Sequence, residues 1–221
     1  YQGEDKEKDQ TYFLFTLQQD QLEYILFPLG DYLKEDVRKI AAQYDLKTAE
    51  KPESQEICFV PQNKYANFIE EQYPHYANSK GQFVGSDGSH LGNHKGIYSY
   101  TVGQRRGLRV ATGDRVYVTQ IDPETNHVVL GPNEALMQDR AVASQIKWVN
   151  RMGIYVGMKL GVKIRYQQNV VTGYLTSLTN EGAVIDFEEA QRAITPGQAI
   201  VFYRDDEVLG GGWIQRGENR K

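Results

Sequence analysis

The chain has 221 residues, 40% of them hydrophobic and 24% charged, with a formal net charge of −4 and one cysteine. Its length suits one to three small modules and its composition is that of an ordinary globular protein, with no apolar run near the roughly 18 residues of a membrane-spanning helix and no signal-peptide pattern at its start. One cysteine excludes an internal disulfide framework and a cysteine-based zinc site, and it suits the reducing conditions of the cytosol.

The charge is uneven. Residues 1–56 carry 7 Lys/Arg against 13 Asp/Glu, a balance of −6. Residues 94–115 carry Lys95, Arg105, Arg106, Arg109 and Arg115 against Asp114 alone, a balance of +4. A basic patch on an acidic protein still attracts phosphate, because salt screens the distant charges more than the near ones.

In chain order, the first third has helical spacing. Asp9 and Asp20 are predicted N-caps, followed by Tyr12, Phe13 and Leu17, then by Leu22, Ile25 and Leu26. The run F-P-L-G at 27–30 breaks the second segment. A third helix is predicted with Val37, Ile40, Ala41 and Tyr44 on one face and Lys34, Arg38 and Lys39 outward. Asn63 is a predicted cap for a fourth, carrying Tyr65, Phe68 and Ile69. From about residue 80, Gly, Asn and Asp punctuate short runs of Val, Ile, Thr and Tyr, a strand-and-turn signature. V-Y-V-T-Q-I and H-V-V-L read as a hairpin around D-P-E-T-N. Runs at 144–149, 160–166, 171–178, 182–187 and 198–203 predict a small antiparallel barrel after about residue 140.

Several residues invite a chemical reading. Cys58, in S-Q-E-I-C-F-V, is a small apolar filler or a nucleophile. The following Pro61-Gln62-Asn63 helix start favours its thiolate, while Glu53 and Glu56 oppose it. Lys8-Asp9-Gln10 reads locally as a cap in a solvated, charge-rich segment. In T-V-G-Q-R-R-G-L at 101–108, two glycines flank Gln104, Arg105 and Arg106, giving either a phosphate grip or a turn with solvated arginines. Thr195-Pro196-Gly197-Gln198 is a turn whose Gln198 is able to read a base edge. His75, His90, His94 and His127 lack metal spacing, and His90 and His94 read as surface residues around a Gly-Asn turn. The sequence has no P-loop, G-x-G-x-x-G or G-x-S-x-G pattern.

Taken in order, K-D-Q-T-Y-F-L (8–14), L-F-P-L-G (26–30), V-R-K-I-A (37–41) and S-Q-E-I-C-F-V (54–60) resemble one family, the tRNA-specific 2-thiouridylases (tRNA-uridine 2-sulfurtransferases). The same holds for G-x-H-x-G-I-Y-x-Y-T-V-G-Q-R-R-G-L (92–108), Y-V-x-x-I-D-P-E-T-N (117–126), V-K-I-R-Y (162–166), T-P-G-Q-A (195–199) and L-G-G-G-x-I (209–214). The resemblance runs over essentially the whole chain.

It implies an α+β, multidomain protein. Residues 1–62 would be the helical end of an α/β catalytic, adenylating domain, 63–138 a central small β-rich domain, and 139–221 a C-terminal antiparallel β-barrel that binds tRNA. It implies ATP-dependent replacement of the wobble-uridine C2 oxygen by sulfur carried as a persulfide on Cys58. That sulfur either attacks directly or is released as sulfide by a second thiol. It places Lys8, Asp9, Gln10, Arg165, Tyr166 and Gln198 at the tRNA, and Gln104, Arg105 and Arg106 are expected phosphate contacts.

The implied partners are the tRNA anticodon stem-loop and a persulfide sulfur donor protein, in the cytoplasm, without membrane or DNA. ATP, with Mg2+, would be held mainly by an N-terminal portion carrying S-G-G-x-D-S and the second cysteine. The chain is therefore expected to be a fragment with half an active site, inactive alone. A competing expectation is a noncatalytic RNA-binding barrel module with Cys58 inert; a rhodanese-like enzyme would not need the barrel.

Overall fold

A computed structural model describes residues 1–51, 60, 65–75 and 79–216. In chain order its elements are α1 (Thr11–Leu14), α2 (Gln19–Leu22), α3 (Lys34–Gln43), α4 (Tyr65–Gln72), β1 (Gly81–Gly85), β2 (His90–His94), β3 (Tyr117–Asp122), β4 (His127–Gly131), β5 (Met137–Trp148), β6 (Lys159–Lys163), β7 (Val171–Leu178), β8 (Gly182–Arg192), β9 (Ala199–Arg204) and β10 (Glu207–Ile214). They form two compact units, one of Tyr1–Pro52 with Asp139–Lys221 and one of Glu53–Gln138.

In the first unit six strands close a barrel in the order β10-β5-β8-β7-β6-β9. β10 runs antiparallel to β5 and β9, β6 to β7 and β9, and β7 to β8. Alternation along the strands fills the interior: Ala183, Ile185 and Phe187 of β8 point inward with Leu160, Val162, Leu175, Ile200, Phe202 and Leu209. A bidentate ion pair from Arg140 to Asp186, at 2.5 and 2.7 Å, links β5 to β8.

β9 breaks the alternation, because Ala199 through Tyr203 are all buried. An antiparallel strand reads as a continuous apolar run when both of its faces are covered. Here Ile200 and Phe202 face the interior, while Ala199, Val201 and Tyr203 meet Tyr12 and Phe15 of the N-terminal segment. The approach is close: a Cβ on Gly211 would lie 2.7 Å from the Phe15 ring and 2.5 Å from the Ile200 carbonyl oxygen. Only glycine leaves room for Phe15 there.

The N-terminal helices are shorter than their spacing predicts, and their caps differ. Asp9 lies one residue before the α1 cap, Gln10. Asp20 lies inside α2, whose cap is Gln18 in a reciprocal capping box with Gln21. The carboxylate of Asp5 accepts the Lys34 N–H at 2.9 Å and so caps α3 from 29 positions away. That bond is the largest cause holding the Asp5 pKa below the usual carboxylate range. At the far end, Asp45 takes a left-handed φ of 50° while Leu46 N–H reaches Ala41 O and Asp45 N–H reaches Ala42 O, a Schellman stop. The apolar face predicted for α3 is not buried by any described residue, and Ile40 and Tyr44 are exposed.

The second unit holds a four-stranded sheet, β2-β1-β4-β3, with β1 parallel to β4 and the other pairs antiparallel. Phe83, Leu108, Val118, Val128 and Leu130 form its core. The β3–β4 hairpin turns on Asp122, which accepts the Glu124 N–H and the Thr125 hydroxyl, and on Asn126 at φ 55°.

Residues 90–94 form a strand rather than a turn, and His94 is buried, which corrects its reading as a surface residue. Both ring nitrogens are satisfied: Nδ1 accepts the Gly96 N–H, and Nε2 donates to the Asn126 carbonyl.

Candidate nucleic-acid interface

The N-terminal segment reaches the barrel through Tyr12. Its ring packs with Phe15, Val201 and Tyr203, and its hydroxyl donates to the Ala199 carbonyl at 2.9 Å. Burial raises the Tyr12 and Tyr203 phenols to about 12, so both are neutral donors near neutral pH.

Asp9 is only 7% exposed and acts as an internal staple. Its Oδ1 accepts the Gly3 N–H at 3.0 Å and its Oδ2 accepts the Thr11 N–H and hydroxyl. Lys6 Nζ meets Asp206 Oδ1 at 2.7 Å in the β9–β10 turn. The charge run at 4–9 is thus tied down rather than merely solvated.

This anchoring brings together residues far apart in sequence. The side-chain amide of Gln10 donates to the Tyr166 hydroxyl. The Tyr166 ring lies 4.7 Å from that of Phe13 and 6.3 Å from that of Tyr12. Arg165, next along, donates from one terminal nitrogen to the Arg192 carbonyl. Its pKa is lowered by burial and then by repulsion from Arg192, with Tyr12 opposing.

Among the described residues, two buried side-chain polar atoms have no hydrogen-bond partner: Arg165 Nε and Gln198 Oε1. Buried polar atoms are normally satisfied, so each such exception calls for an explanation such as an absent partner. A partly buried guanidinium repelled by a second one, Arg192, would be relieved by an anion.

In the second unit, the 101–108 loop is shaped by its own glutamine. Gln104 Oε1 accepts the Thr101 N–H and its Nε2 donates to the Arg106 carbonyl, each at 3.0 Å. One N–H and one oxygen site of the Gln104 amide are thus engaged inside the loop, which Leu108 anchors in the core. Gly107, at φ 81°, supplies the left-handed turn. Arg105 and Arg106 are exposed. A cavity of about 560 Å³ in the same unit is lined by Ile69, Tyr73, His75, Ile97 and Tyr98.

Cys58 lies outside the described residues, as does Asn63. The described residues include no cluster of three His, Cys, Asp or Glu able to hold a metal ion. None of their loops has the glycine-rich, helix-opening form that cradles a nucleotide's phosphates, so no residue here is assigned to ATP. No described helix is long and apolar enough to cross a membrane.

Phe13 was missed by periodicity, which grouped it with Tyr12 as one apolar face. Tyr12 and Phe15, three apart, share the buried face, and Phe13 falls off it.

Three family models match the chain in succession. Residues 1–62 match a tRNA methyl transferase HUP domain, 66–132 a tRNA methyl transferase PRC-barrel domain, and 138–214 an aminomethyltransferase beta-barrel domain. Among curated proteins, a tRNA-specific 2-thiouridylase of Heliobacterium modesticaldum is 47% identical over 215 residues, 97% of this chain and 56% of that protein. One of Natranaerobius thermophilus is 44% identical over 221 residues, 100% of this chain and 60% of that protein. One of Geobacter metallireducens is 46% identical over 216 residues, 96% of this chain and 57% of that protein. The chain spans 56 to 60% of the length of these relatives.

Proposed function

The chain belongs to the family of the tRNA-specific 2-thiouridylases, and from that premise we propose that it serves 2-thiolation of the wobble uridine of tRNA, in the cytoplasm. The family models carry a methyl transferase description, whereas the relatives matching nearly the whole chain are called thiouridylases; the whole-chain matches at 44 to 47% identity guide the choice of chemistry.

In this reading Lys8, Gln10, Arg165, Tyr166 and Gln198 face the anticodon loop, and Asp9 positions Gln10 from behind. The observation that carries it is the pair of buried, unpartnered atoms, Arg165 Nε and Gln198 Oε1. One donates and the other accepts, as recognition of phosphate and of a base edge requires. Arg105 and Arg106 add phosphate contacts from the second unit. We divide the protein at 62/63 and 138/139 into catalytic, central and barrel portions.

Cys58 is the proposed sulfur carrier. A donor protein's persulfide passes its outer sulfur to the Cys58 thiolate: the donor S–S bond breaks, the Cys58 S–S bond forms, and the donor leaves as a thiolate. ATP is the co-substrate that activates the uridine oxygen for displacement.

Equilibrium binding of the purified protein to an anticodon stem-loop RNA bearing uridine at the wobble position tests the RNA half. Tight binding that weakens with Gln198→Ala supports the assignment, and binding no tighter than to an unrelated hairpin overturns it.

A further inference from the structure

Phe13 is 56% exposed on a helix whose neighbouring aromatic residues, Tyr12 and Phe15, are buried. Its ring is nevertheless fixed in place. The Tyr12 ring meets it edge-on at 5.4 Å and 83°, and the Tyr166 ring leans on it at 4.7 Å and 39°. Both supports are themselves held, Tyr12 by the Ala199 carbonyl and Tyr166 by the Gln10 amide.

An immobilised aromatic face left in water forgoes much of the stabilisation that burying such a side chain contributes. Its surroundings narrow what would cover it. Arg165, adjacent to Tyr166 and acting electrostatically on Tyr12, offers an unused N–H. A purely apolar partner would leave that N–H unmet. A base with its attached phosphate presents a π face, hydrogen-bonding edges and an anion together.

We propose that Phe13 is a stacking platform for one unpaired nucleobase of an RNA loop, with Arg165 meeting the phosphate of that nucleotide or the next. The proposal rests on the tRNA reading and adds to it a site made by an apolar side chain. It also explains why Gln10 holds Tyr166: the bond sets the angle of the ring that backs the platform.

The test uses purified protein and anticodon stem-loop RNAs carrying 2-aminopurine at successive loop positions, whose fluorescence falls when the base stacks. Phe13→Leu keeps apolar bulk without a π face; Phe13→Trp keeps the face. Loss of one stacked base corresponds to about 5- to 150-fold in affinity. Phe13→Leu should weaken binding within that range, abolish quenching at one loop position and leave the salt slope unchanged, while Phe13→Trp retains both affinity and quenching. Wild-type affinity and quenching in Phe13→Leu would overturn the platform. If Phe13→Leu is misfolded by circular dichroism, Phe13→Trp decides alone: its added indole emission should be quenched by RNA, and unquenched emission overturns the proposal. Failure of the wild type to bind any stem-loop would instead overturn the tRNA reading itself.

Discussion

Gln10 and Tyr166 stand 156 positions apart and are joined by a side-chain hydrogen bond, the Gln10 amide donating to the Tyr166 hydroxyl. Through it the K-D-Q segment and the I-R-Y segment that follows β6 become parts of one surface. Gln10→Ala and Tyr166→Phe should each weaken stem-loop binding, and the double variant should lose less than their sum. A coupling of about 0.5–1.5 kcal/mol, that of one hydrogen bond, is expected from titrations of the four proteins. Strict additivity would mean that the two side chains act separately on RNA.

Arg165 differs from an ordinary surface arginine because one nitrogen is committed to Arg192 and another has no partner. If it meets phosphate, Arg165→Ala should lower affinity and reduce the salt slope of binding by about one phosphate's worth. Arg165→Lys should recover the slope without the affinity, because an ammonium keeps the charge and lacks the guanidinium fork. An unchanged slope in the alanine variant would remove Arg165 from the phosphate interface.

The contact between Phe15 and Gly211 should govern how firmly the N-terminal segment sits on the barrel. Gly211→Ala places a methyl 2.7 Å from the Phe15 ring and 2.5 Å from a backbone oxygen, an overpacking that costs about 1–3 kcal/mol. Thermal melts should show the loss, and proteolysis should cut the first residues faster. Phe15→Ala removes a buried ring and is destabilising by itself, so the check is the coupling. Gly211→Ala should cost less in the Phe15→Ala background than in the wild type, but still something, because the clash with the Ile200 carbonyl remains.

His94 gives the second unit a pH dependence. Burial, the largest cause, holds its pKa below the ordinary 6.5; His127 adds to the effect and the Asn126 carbonyl opposes it. Above about pH 6.5 the imidazole is neutral both folded and unfolded, so its stabilising contribution is fully present. As pH falls below that value the unfolded chain takes up the proton first, and stability is lost at up to about 1.4 kcal/mol per pH unit. Melting temperatures of the wild type and His94→Gln should therefore converge on acidification. A gap constant across that range would contradict the buried, neutral histidine.

The barrel was legible because its strands carry their own pattern: Ala183, Ile185 and Phe187 alternate with Val184 and Asp186. β10 was not read as a strand, because Gly210, Gly211 and Gly212 remove the side chains that produce a strand signal. The cap of α3 was invisible for another reason: Asp5 supplies it from 29 positions away. His94 was misread because Gly92-Asn93 signals a turn, whereas these residues lie within β2 and carry His94 into the interior. Resemblance picked out Gln10, Arg165, Tyr166 and Gln198 as separate motif residues. The gathering of Gln10, Arg165 and Tyr166 around Tyr12 depends on the barrel closing and on the first residues lying across β9, which no local window contains.

The central claim, that the chain serves tRNA 2-thiolation with Cys58 as the sulfur carrier, is tested most directly by mass spectrometry of nucleosides from total tRNA. The comparison is between cells carrying the wild-type gene and cells in which it encodes Cys58→Ser. Replacing the thiol by a hydroxyl removes the sulfur on which Cys58 would carry a persulfide and changes little else. The account predicts 2-thiouridine derivatives in the wild type and their loss in the variant, with the protein still present at normal levels. Undiminished 2-thiouridine in the Cys58→Ser strain would contradict it.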